Sequence, residues 1–171
     1  MGIGQSPTAF AGADMTLRNT TTLLFFVLYL GATGAGIGEG FQYDSWRYIP
    51  PEAFAIVHST VGSVAQHWLV PFVLLGFVTS IVTIWLHHPA MSRLLIVLAT
   101  ALYAESFIIT AIKVIPLQVK IEHALSIPAL DQLIYFHFYF RVLPGLAGII
   151  IIAVLLSQVL RAAPQPNPAL T

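Results

Sequence analysis

No cysteine occurs among the 171 residues. That excludes disulfides, thiolate metal sites, Fe–S clusters and CxxC redox chemistry. Charge is almost as scarce. Seven basic and seven acidic side chains make up 8% of the chain and cancel, where a soluble domain carries about a quarter charged residues. Without a basic excess there is no electrostatic footprint for nucleic acid and no polybasic lipid-binding segment. The signatures of soluble enzymes are missing as well: no phosphate-binding glycine loop, no HExxH and no GxSxG. Met1 to Met15 contains no basic residue, so the chain start lacks the charged region of a cleavable signal, and the first apolar run reads as a retained helix.

What the chain has in abundance is apolar length. It is 57% hydrophobic, with a mean hydropathy of +0.85. Four stretches reach the ~20 residues that a membrane-spanning helix needs: Thr20 to Ile37, Ala53 to Leu86, Arg93 to Ile115 and Leu133 to Leu160. The expected fold is therefore all-α, an integral membrane four-helix bundle with a kinked long second helix. Residues 1–16 are expected to be disordered, 17–161 to form the transmembrane domain, and the proline-rich 162–171 to be disordered again.

Local chemistry refines that path. The first helix is expected to end in a glycine-rich stretch, where Gly34 and Gly38, or Gly36 and Gly40, can let another helix approach closely. Tyr43, Trp46 and Tyr48 beside Arg47 form an interfacial aromatic cluster. The second stretch would span ~50 Å as one straight helix, more than the ~30 Å of hydrocarbon, and Pro71 supplies a kink. His87-His88-Pro89 reads as a turn. Pro116 is expected to stop the third helix, with a short interfacial helix or loop over Leu117–Asp131, and Pro144-Gly145 to kink the fourth.

Four helices place both termini on one side. Basic residues are balanced across the two sides, so they do not orient the chain strongly. Cytoplasmic termini in a bacterial inner membrane are the working orientation.

The few ionisable groups fall at a shared depth. At ~1.5 Å per residue from the terminal-side surface, Glu39, His67, Lys113 and Arg141 lie ~28–32 Å up, His137 ~36 Å and Glu105 ~20 Å. His137 and Arg141 are four residues apart and share a helix face. One reading of this layer is the membrane interface, where long charged side chains snorkel. The other is a polar site between helices, because an ionisable group in hydrocarbon is costly and marks function. Glu105 resists the interface reading best, since it lies near mid-helix and needs a partner or a proton.

Histidines offer a second chemistry. His67 and His137 come from different helices at similar depth and can coordinate a haem iron or a metal ion. His58 lies about 180° from His67 on a continuous helix and joins that site only if the segment bends. Cofactor use is otherwise left open.

Pro116-Leu117-Gln118 with Lys120, followed by Tyr135-Phe136 and Arg141, resembles the anthrone-oxygenase-like family of small four-helix membrane proteins, mainly over 112–147. The resemblance implies a polar site acting on a lipophilic aromatic or quinone-like molecule. It also implies chemistry begun by proton removal and completed by dioxygen. On that expectation Glu105 and His67 form the acid–base pair, with Lys113, His137 and Arg141 holding the anion. The rival expectation is a non-enzymatic haem- or pigment-binding protein, ligated through His67, His137 and His58, or an accessory subunit of a larger membrane complex. A homo-oligomer is compatible with either.

Overall fold

The computed structural model describes residues 7–163, with side chains from residue 14 onward. Every regular element among them is helical, and four helices are long and apolar enough by length and composition to cross a membrane. The first runs Pro7–Ser45 and closes in a 3-10 turn, Trp46–Tyr48. The others are Pro51–Thr83, Arg93–Ile121 and Ile127–Ala162.

Three boundaries differ from expectation. Helical backbone begins at Pro7 rather than after residue 16; residues 1–6 and the tail 164–171 lie outside the described residues. The first helix does not end in the glycine-rich stretch but continues through it to Ser45. Pro116 does not stop the third helix, which continues to Ile121, and the fourth begins at Ile127.

The last correction has a physical cause that recurs. Five-residue π turns occupy Ala65–Leu69, Thr110–Val114 and Phe138–Val142. Each ends two residues before a proline: Pro71, Pro116 and Pro144. Proline lacks an N–H and its ring collides with the carbonyl four residues back. A wider i→i+5 turn relieves that collision, so the helix passes the proline instead of ending there.

Helices in lipid gain little from hydrophobic transfer and associate through close packing and hydrogen bonds. The first helix lies along Val70–Thr83 of the second and along the fourth, while the third packs on the fourth. Gly76 admits the Tyr103 hydroxyl, which donates to the Val73 carbonyl at 3.0 Å. Gly148 admits the ring of Tyr29.

Two cores result. Near the chain termini, Phe25, Tyr29, Ile96, Tyr103, Ile152 and Leu155 pack together. At the other end Tyr43, Trp46, Phe54, Val114, Leu130 and Leu133 do so. Between Phe54 and Gly76 the second helix contributes no buried residue to either core. It is anchored at both ends and stands off in between.

Candidate functional site

That gap is a cavity of about 920 Å³. The first helix lines it from Tyr29 to Trp46, the second from His58 to Val73 and the third from Leu102 to Glu122, with Arg141 and Gly145 from the fourth. Much of the wall is apolar or aromatic, including Trp46, Trp68, Leu69, Phe107 and Val114.

One wall carries hydrogen bonds joined by one ion pair into a chain that crosses three helices. Gln118 Nε2 donates to the Tyr43 hydroxyl at 2.7 Å. Tyr43 donates to Glu39 Oε1 at 3.3 Å. Glu39 Oε2 meets Arg141 Nη2 at 2.8 Å, with both side chains mostly buried, at 17% and 14% exposure. Arg141 Nη1 lies 3.0 Å from His137 Nδ1, and His137 Nε2 lies 2.7 Å from the Gly36 carbonyl oxygen.

This geometry assigns the His137 protons. A carbonyl oxygen only accepts, so Nε2 carries the hydrogen; guanidinium only donates, so Nδ1 is the lone pair. His137 is thereby held as a neutral imidazole with both nitrogens engaged. Gly40 permits this approach, because a Cβ there would lie 3.3 Å from the His137 ring. Of the glycines considered from sequence, Gly40 receives the neighbour, while a Cβ at Gly34, Gly36 or Gly38 would meet nothing within 4 Å; Gly36 contributes its carbonyl instead.

Arg141 and His137 are thus brought together, and Glu39 joins them. His137 itself is buried behind the cavity wall and does not line it, and three other sequence candidates also lie outside the lining. His67 is exposed, with Nδ1 bonded to its own helix at the Ser63 carbonyl, 2.8 Å away, and it does not line the cavity. Lys113 is exposed and lies 5.4 Å from the centroid of the Phe136 ring. Glu105 is half-buried, outside the cavity lining, and no hydrogen bond or ion pair joins it to His67. His58 does line the cavity.

The donor set offers little to a haem or metal. His137 has no free nitrogen, His67 shares no space with it, and no group of three His, Asp or Glu side chains among the described residues could hold a metal ion.

Sequence reasoning gave Glu39 a depth without a role and did not foresee Tyr43 or the Gly36 carbonyl as members of the network. The signal for Glu39 was present: it falls in the same depth layer, on a helix rich in small residues. Comparison with known proteins returns no family model, no curated protein and no solved structure that matches the chain.

Proposed function

We propose that this chain is an integral membrane four-helix bundle that binds a lipophilic aromatic or quinone-like molecule between its helices. On this reading it is a membrane oxidoreductase of the anthrone-oxygenase-like type, in a bacterial inner membrane with both termini cytoplasmic. The observation that carries the reading is the cavity of about 920 Å³ with a buried Glu39–Arg141 pair in its wall. Small-molecule sites have this character: a few hundred to about 1,000 Å³, largely apolar, with a few placed polar groups. An ion pair at membrane depth is costly to bury, which favours a functional origin over packing alone.

The polar wall holds its own charges in fixed positions. Arg141 is committed to Glu39 and His137, so the site presents an ordered dipolar surface rather than a loose cation. Such preorganised dipoles stabilise charge that develops on a ring oxygen as the CH2 carbon across the same ring, conjugated with it, gives its proton to water. The chemistry that fits is anthrone plus dioxygen giving anthraquinone plus water. Anthrone supplied to the protein in lipid nanodiscs, under air, tests this. Anthraquinone formation above the protein-free rate, with one dioxygen consumed per ring, is the expected result. Binding without any acceleration would remove the oxidoreductase part and leave a carrier.

A further inference from the structure

His58 is the histidine whose environment the network above does not account for. Its ring is held between Trp46, with centroids 5.1 Å apart at 64°, and Phe54, 5.6 Å apart at 31°. Nδ1 is buried and has no hydrogen-bond partner. His87, His88 and His137, the other histidines that are buried or half-buried, each use a ring nitrogen in a hydrogen bond. His58 makes none among the described residues, although it lines the cavity. Nε2 is then the nitrogen it can offer to that space.

The proton position follows from the covered side of the ring. A buried N–H without an acceptor is rarer and costlier than a buried acceptor left unpaired. The neutral ring therefore keeps Nδ1 bare and carries its hydrogen on Nε2. The charges nearby restrict what can accept it. Glu39 and Glu122 line the same cavity, and its one guanidinium, Arg141, is already paired with Glu39. No cation among the lining residues is left over for a carboxylate or phosphate ligand.

We infer that His58 Nε2–H is the ligand-reading donor of this cavity, and that it hydrogen-bonds a carbonyl oxygen on a neutral ring molecule. The inference rests on the proposed cavity reading and adds the functional group the ligand must carry. Trp46 and Phe54 hold the imidazole in place, so the donor costs little ordering when the ligand arrives.

The test compares two flat probes of equal size, 9-fluorenone and fluorene, which differ by the carbonyl. Binding is measured by calorimetry on the full chain in detergent, and the carbonyl stretch of bound fluorenone by infrared difference spectroscopy. The wild type should bind fluorenone roughly 5- to 10-fold more tightly than fluorene, the worth of one neutral hydrogen bond, with the carbonyl band lowered. H58F keeps an aromatic ring against Trp46 and Phe54; it should bind fluorene unchanged, lose the preference and return the band toward its apolar position. H58Q, which retains an amide donor, should recover part of the preference.

A preference undiminished in H58F, or a wild-type carbonyl band at its apolar position, overturns the role of His58 while leaving the cavity intact. Failure of the wild type to bind either probe overturns the cavity reading itself. A wild-type band at its apolar position overturns the inference even if a variant does not fold, and H58Q supplies the comparison where H58F does not fold.

Discussion

Arg141 of the fourth helix and Glu39 of the first face each other at 2.8 Å, with both side chains mostly buried. Around that contact the Tyr43 hydroxyl and the His137 ring each take one further position, on Glu39 and on Arg141. The pair therefore has two consequences. It ties the first helix to the fourth, and it gives the cavity a polar wall whose groups are fixed before any ligand enters.

Removing one partner should be worse than removing both. Glu39→Met or Arg141→Met leaves a buried charge uncompensated and should cost about 3–5 kcal/mol. Replacing both, as Glu39→Met with Arg141→Met, should recover much of that loss, because neither desolvated charge remains. Chemical unfolding of the four proteins in the same detergent checks this. Additive single-variant losses would mean that the two side chains are not coupled.

The glycines should separate by position. A Cβ at Gly34 would meet nothing within 4 Å, so Gly34→Ala should be neutral or stabilise by up to ~1 kcal/mol through helix propensity. At Gly148 a Cβ would run into the Tyr29 ring, and Tyr29 is buried in the core. Gly148→Ala should lose about 1–3 kcal/mol by overpacking. Thermal unfolding of both variants reads the contrast; equal melting temperatures would argue against the described packing of the first helix on the fourth.

Gly36 allows the cavity to be closed without disturbing the contacts between helices. It lines the cavity and has open space where a Cβ would project, while its contact to His137 uses the backbone carbonyl. Gly36→Leu should fold with an unchanged melting temperature, yet weaken binding of 9-fluorenone roughly 10-fold or more, because a leucine side chain would occupy ligand space. Calorimetry beside thermal unfolding provides both readings. Undiminished binding would place the probe elsewhere.

The spans were readable from apolar length, and depth alone grouped Glu39, His137 and Arg141. Depth carries no information about direction, however. His67 and Lys113 reach the same level and face outward. Both, like Arg141, occur inside π turns. An inserted π residue adds about 100° of rotation to a helical register, so face assignments made on uniform helices fail there. The prolines at 71, 116 and 144 were visible as disturbances. Their resolution by widened turns rather than breaks depends on how neighbouring helices hold the chain, which one sequence does not encode locally. His58 was set 180° from His67 by the same counting. In the structure His58 lines the cavity, while His67, inside the first π turn, is exposed.

The most direct examination of the central claim is a crystal structure of the protein in lipid, soaked with 2-bromofluorenone and measured at the bromine edge. The account predicts an anomalous peak inside the cavity bounded by Gly36, His58 and Arg141, with the ring oxygen toward His58. A peak confined to the outer, lipid-facing surfaces, or none in a cavity that stays open, would contradict it.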